Sequence, residues 1–116
     1  MSQIKCVGTL WNPDPSFNRR VDSIITEHKN HLKVHRFIVS KKYRGKGIGT
    51  LFMICLSHYA DKKNKAIYLT PSTAYGGSSV PRLKRFYKRF GFIENRGQNK
   101  MDNIKDSMYR LPDKRR

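Results

Sequence analysis

Three stretches of this chain carry residue types that could do chemistry. The run Tyr43-Arg44-Gly45-Lys46-Gly47-Ile48-Gly49-Thr50 sets three glycines at alternate positions, between an extended apolar run and the start of a helical pattern. Such a backbone turns sharply and lets several N–H groups converge over the first turn of a helix, which is a place to hold an anion. Further on, Phe86-Tyr87-Lys88-Arg89-Phe90-Gly91-Phe92 sets a phenol able to donate a proton on an apolar stripe. His28, His31 and His35 lie close in sequence, and imidazole is the side chain whose ordinary pKa suits general-base work near neutrality.

Each stretch also has a plainer reading. A strand-to-helix turn needs glycine for shape alone. Two nucleotide loops are excluded: a dinucleotide fingerprint wants its third glycine one residue later with an acid about 20 residues on, and a Walker loop wants lysine before Ser or Thr. Tyr87 also reads as a core aromatic with a satisfied hydroxyl. The histidines fall at a hairpin tip and on a strand, without the paired spacing that converges on a metal, so no metal is expected. Cys55, between Ile54 and Leu56, reads as core, which excludes a thiol mechanism.

The charge balance narrows the partners. Lys and Arg number 25 against 8 acids, a net charge of +17, which creates a field attracting phosphate-rich or carboxylate-rich molecules. Arg82, Lys84, Arg85, Lys88 and Arg89 crowd one short helix, marking a contact for RNA, tRNA or another acidic partner, or else a solvated basic face. At 116 residues the chain reads as one domain spanning residues 1–116, with a frayed basic tail at 112–116. With 37% hydrophobic residues it is globular rather than disordered. No apolar run approaches the roughly 20 residues of a membrane span. Two cysteines, Cys6 and Cys55, and no recognisable leader predict a reduced, cytoplasmic protein.

The elements that must position these residues follow from periodicity. Residues 3–11 alternate as a strand, which Asn12-Pro13-Asp14-Pro15 ends. Residues 17–26 fit helical spacing as well as strand, but clustered Val21, Ile24, Ile25 and Thr26 favour a hairpin with residues 32–39 around His28-Lys29-Asn30-His31. Strict alternation puts Leu32, Val34, Arg36 and Ile38 on one face of the second strand, and Lys33, His35, Phe37 and Val39 on the other. A long helix runs from Ile48, with Leu51, Phe52, Ile54, Cys55, Leu56, Tyr59 and Ala60 at helical spacing, and Ala66 to Thr70 forms a strand parallel to the one before the glycines. Residues 72–81 form a loop, with Ser78 or Ser79 capping a helix over about 81–90. Gly91 ends that helix, and strands follow at 92–95 and 106–111.

Taken in order, the strand ending Phe37-Ile38-Val39, the R-x-x-G-x-G of Arg44, Gly47 and Gly49, its helix, a second strand and the F-Y-x-x-x-G-F from Phe86 to Phe92 resemble the GNAT superfamily of acyl-CoA N-acyltransferases. The resemblance covers residues 32–94. It implies an α/β fold: a mixed, mainly antiparallel sheet with a central parallel strand pair and flanking helices. It also implies acetyl-CoA as acyl donor, without a metal. Backbone groups from Arg44 through Gly45, Lys46, Gly47, Ile48, Gly49 and Thr50 would hold the coenzyme A pyrophosphate, and Phe37, Ile38 and Val39 would pair with the pantetheine arm.

Tyr87 matches the tyrosine that protonates the departing thiolate in this family. Many members carry a glutamate base on the strand before the glycines, and the same spacing here lands on Lys33. His35 is then the candidate base, with Glu27 a weaker one. An α-amine, with a reference pKa near 8 against about 10.4 for lysine, needs less help, so aminoacyl-tRNA or a protein N-terminus joins a nucleic-acid-associated lysine as acceptor. The region before the glycines is short for the family, leaving an acceptor cleft that is open or completed by a partner, such as the second subunit of a homodimer. The expected function is N-acetyl transfer to a primary amine on an anionic macromolecule; the alternative is an inactive basic module of the same fold that blocks a nucleic-acid or protein surface.

Overall fold

The computed structural model of the chain describes residues 9–72 and 79–113. The expectations for residues 3–8, for a cap at Ser78 and for the end of the basic tail lie outside those residues. Six strands form one sheet in the order β1-β2-β3-β4-β6-β5: β1 Thr9–Trp11, β2 Val21–Glu27, β3 His31–Val39, β4 Ala66–Leu69, β5 Ile93–Glu94 and β6 Met108–Arg110. Among the described residues only β3 and β4 pair in parallel, joined through helix α1, Ile48–Lys63; helix α2, Val80–Lys88, links β4 to β5. The sheet is therefore mixed and mainly antiparallel.

Residues 17–26 resolve as the hairpin rather than a helix. β2 pairs antiparallel with β3 from Val21↔Val39 to Glu27↔Leu32, and His28 N–H donates to the His31 carbonyl at 2.8 Å to close the tip. The expected alternation along β3 fails at one point. Ile24 pairs with Arg36 while Ile25 pairs with Val34, so His35 is an extra, bulged residue. A bulge shifts the pleat by one, which is why Phe37 and Val39 join Leu32 and Val34 against the core instead of facing away from them.

Both helices cover one face of the sheet. The Phe37 ring lies 5.0 Å from that of Phe52 on α1 and 6.4 Å from those of Phe86 and Tyr87 on α2. Ile25, Leu32, Ile67, Leu69 and Met108 complete this core from the strands. Burying each side chain of this size contributes about 2 kcal/mol. α1 buries Phe52, Met53, Leu56, Ser57 and Ala60. That stripe lies to one side of the expected one, and it leaves Leu51, Ile54 and Cys55 exposed, so Cys55 is not a core residue.

Local chemistry sets the helix ends. Asn64, in the left-handed region at φ 58°, closes α1, and Lys65 N–H bonds back to the Ala60 carbonyl. Ser79 caps α2 through its side chain, with Pro81 in the first turn. The last two strands are shorter than expected because residues 95–107 form a loop. Asn95 holds that loop, its amide donating to the carbonyls of Met101, Ile104 and Asp106.

Candidate active site

A cleft of about 800 Å³ opens where β3 and β4 part. Among the described residues the two strands pair only over His31–Lys33 with Ala66–Tyr68, so from Val34 onward the β4-side edge of β3 has no strand partner there. Divergence of two parallel neighbours exposes main-chain N–H and C=O groups that an extended ligand can use. The cleft is lined on one side by residues 34–39 with the glycine loop, on the other by Leu69, Thr70 and α2.

The glycine loop meets the requirement of an anion cradle by two means. Gly45 and Gly47 have φ of 78° and 80°, a region that side chains disfavour, and Gly47 is the N-cap of α1. Gly49 is needed for space: a Cβ there would sit 3.3 Å from Val39 Cγ2 and 3.6 Å from the tips of Phe37 and Phe86. Leu51 N–H is the first of the helix to find a backbone acceptor, the Gly47 carbonyl, and no side chain caps α1. The start of α1 thus carries first-turn N–H groups that lack a helical acceptor, and Gly45, Gly47, Ile48, Gly49 and Thr50 line the cleft. Arg44 folds back, its Nε donating to the Val39 carbonyl at 2.9 Å, which ties the loop to the end of β3.

The expected side chains distribute unevenly around this cleft. Tyr87, from the apolar stripe of α2, is 5% exposed and lines it, and burial pushes its phenol up to about 12. Tyr87 belongs to the core cluster, as the plainer reading has it, while its hydroxyl has no hydrogen-bond partner among the described residues. His35, on the bulge, also lines the cleft. Its Nε2 lies 2.9 Å from Thr26 Oγ1, which lies 2.8 Å from His28 Nε2. A hydroxyl has one proton and two lone pairs, so at least one of the two rings presents N–H to Thr26. Partial desolvation, then Lys33 and His28, hold His35 below the usual 6.5, against an opposing pull from Asp106.

The histidines come closer together than their spacing suggested. His28 stacks on His31 at 4.5 Å, and His31 on Tyr68 at 4.3 Å, on the sheet face opposite the helices. Among the described residues no group of three His, Cys, Asp or Glu side chains is placed to hold a metal ion. Glu27, the weaker base candidate, points away from the cleft toward α1. There it accepts from Tyr59 at 2.6 Å and Lys65 at 2.7 Å, contacts that outweigh burial and lower its pKa.

The basic helix divides in two. Lys84 and Lys88 each lie 3.0 Å from Glu94, which Lys88 and then Lys84 pull down to about 2. Arg82, Arg85 and Arg89 line the cleft instead. Arg82 and Arg85 have no ion pair among the described residues, while Arg89 lies 5.2 Å over the Phe86 ring and approaches Thr50 Oγ1 at 3.5 Å.

A carboxylate missed by local reading is Asp106. It is 6% exposed and receives Lys33 Nζ at 2.6 and 2.7 Å and Thr70 Oγ1 at 2.9 Å. Nothing in its neighbourhood of the sequence signals this, because its partners lie 73 and 36 residues away.

The family model of the GNAT acetyltransferase domain matches residues 9–94. The chain belongs to the GNAT acetyltransferase family. Among solved structures it is similar to the anti-CRISPR protein AcrVA5, with TM-score 0.57 and 16% identity over 78% of this chain and 90% of that one. It is also similar to Ard1 from Thermoplasma volcanium, with TM-score 0.50 and 17% identity, covering 78% of this chain and 62% of that one. At such identities the likeness speaks to the GNAT fold alone. No curated protein sequence matches the chain.

Proposed function

We propose that this GNAT domain moves an acetyl group from acetyl-CoA to a primary amine carried by an anionic macromolecule. The observation that carries the reading is the glycine-built start of α1, uncapped by any side chain and lining the cleft beside the β4-side edge of β3. The helix dipole adds favourable potential for a pyrophosphate there, and Phe37, Ile38 and Val39 offer main chain to an extended arm. When bound, acetyl-CoA supplies an activated acyl carbon, whose bond to sulfur breaks as the amine nitrogen bonds to it.

Tyr87 holds its proton at neutral pH because burial disfavours the phenolate, so it can deliver that proton to the departing sulfur. His35, kept neutral, accepts the proton that the amine must lose. With Nε2–H directed at Thr26, its Nδ1 lone pair is free for this. Arg82, Arg85 and Arg89 suit phosphates at the rim, of the cofactor or of an acceptor such as aminoacyl-tRNA or a nucleic-acid-associated protein. The cleft carries no helix over its opposite sheet face among the described residues, so a large acceptor or a second subunit has access.

A second reading is a binding module without turnover. It is favoured by Lys33 at the position where many family members have glutamate, with the nearest buried carboxylate, Asp106, engaged by it. The test is calorimetric titration with acetyl-CoA, for the native chain and Gly47→Asp, followed by radiolabelled acetyl-CoA incubated with cell lysate and resolved into protein and RNA fractions. Binding abolished by Gly47→Asp together with label in either fraction supports transfer. Binding without label supports the module, and absence of binding sinks both cofactor readings.

A further inference from the structure

We infer that two apposed loops beside the cleft, residues 18–20 and 40–46, form a docking surface for the phosphodiester backbone of single-stranded nucleic acid. Antiparallel pairing of Val21 with Val39 brings the loops to the same end of the hairpin. Ser40 locks them together, its N–H donating to the Arg20 carbonyl at 2.7 Å and its hydroxyl to the Arg19 carbonyl at 3.2 Å. Six cations, Arg19, Arg20, Lys41, Lys42, Arg44 and Lys46, are thereby gathered on one exposed knuckle. None has an ion pair among the described residues.

Six cations elsewhere in the fold are neutralised. Lys33, Arg36, Lys65, Lys84, Lys88 and Arg110 each meet a carboxylate within 3.2 Å. Those pairs engage Asp22, Glu27, Asp61, Glu94 and Asp106, and neither loop contains an acid. A local excess of unneutralised charge in two separate segments, held in register by Ser40, is a surface for a polyanion.

The cofactor does not account for it. Arg19, Arg20, Lys41 and Lys42 lie outside the lining of the cleft, whereas Tyr43 and Arg44 are part of that lining. Those four groups are open to a second polyanion lying next to the cleft. Tyr43 decides its class. The ring is partly exposed among the cations, with the Arg20 guanidinium 5.7 Å from its centroid. Cations following a backbone with an aromatic ring on which a base can stack are what a single strand uses; an acidic peptide has no base to stack there.

This deepens the acceptor half of the proposed function and rests on it, but its readout needs no turnover. The experiment is fluorescence anisotropy of a labelled single-stranded oligonucleotide of about 20 nucleotides, as RNA and as DNA, with polyglutamate as a third probe. Arg19, Arg20, Lys41 and Lys42 are all replaced by Gln in one protein. Lys62, Lys63, Lys100 and Lys105 are replaced by Gln in a control with the same net charge. Circular dichroism verifies folding, and separate Arg19/Arg20 and Lys41/Lys42 pairs serve if the quadruple variant does not fold.

The loop variant is expected to lose on the order of tenfold or more in oligonucleotide affinity near physiological salt, with the log–log salt slope reduced by about three. The control should lose less than about threefold. Tighter binding of either RNA or DNA, lost in the loop variant, supports the surface and names the sugar it prefers. Equal losses in the two variants would show a diffuse field and overturn the inference. So would polyglutamate affected more than either oligonucleotide, or no loss at all. Acetyl-CoA titration of the same proteins reports separately on the cofactor reading, so the failure of one is visible without the other.

Discussion

Lys33 Nζ lies 2.6 and 2.7 Å from the two carboxylate oxygens of Asp106, joining β3 to the loop before β6 across the face of the sheet that no helix covers among the described residues. Asp106 also receives Thr70, at the edge of the cleft. The ion pair therefore ties the end of β4 and the 95–107 loop to the strand that carries His35. Replacing Lys33 with Met leaves the buried carboxylate without its counter-charge. We expect a loss of about 2 kcal/mol in denaturant unfolding, less than a fully sealed pair because water reaches the ammonium. Lys33→Met as stable as the native chain would show that Asp106 does not need it.

Tyr87 is expected to separate chemistry from binding. Its hydroxyl has no partner among the described residues, so Tyr87→Phe removes no hydrogen bond and should leave the melting temperature within about 1 °C. Turnover should fall by about 100-fold or more, with acetyl-CoA affinity unchanged in calorimetry. Because burial holds the phenol near 12, no alkaline limb from Tyr87 should appear in the rate below about pH 10. A Phe variant with native turnover on its own acceptor would remove Tyr87 from the mechanism.

The histidine cluster predicts the sign of two pH effects. His31 and His35 are both held below 6.5, in each case first by desolvation; around them stand His28, Lys33 and Lys65, with Asp106 opposing. Acting as a base, His35 is needed neutral, so the acid limb of kcat/KM should lie below pH 6.5 and vanish in His35→Gln. In unfolding, the denatured chain binds protons at the ordinary value while the folded chain resists. Stability is therefore full above pH 6.5 and declines as pH falls through 6.5 toward the folded values. Thr26→Val should change the pH profile of the rate and Thr26→Ser restore it; a limb above 6.5 would contradict the assignment.

The glycines of the loop should fail in different ways. At Gly47 an added Cβ would meet nothing within 4 Å, but φ of 80° disfavours any side chain, so Gly47→Ala should cost about 1–2 kcal/mol in unfolding. Gly49→Ala sets a methyl 3.3 Å from Val39 Cγ2 and pushes the start of α1 from β3. Both should weaken acetyl-CoA binding in titration by about tenfold or more, since each moves the N–H groups of the cradle. Native affinity in Gly49→Ala would show that the start of α1 does not bind the cofactor.

Much of this protein could be read locally. Periodic spacing located α1 and α2, the punctuation at Gly47, Pro81 and Gly91 bounded them, and β-branched residues in 21–26 chose hairpin over helix. The family followed from two motifs in order, because glycine spacing and the F-Y-x-x-x-G-F ending are short-range requirements of backbone shape. Tertiary structure decided the rest. Periodicity cannot see a bulge, so the extra residue at His35 reversed the faces of Phe37 and Val39. Nor does an apolar stripe on α1 say which of its edges meets the sheet, and so Cys55 lies outside the core that its neighbours suggested. Ion pairing depends on the whole chain: the fold engaged Lys84 and Lys88 with Glu94, brought Asp106 to Lys33, and left the cations of two distant loops together without an acid between them. Charge is a property of the sequence, but which charges remain unneutralised is a property of the packing.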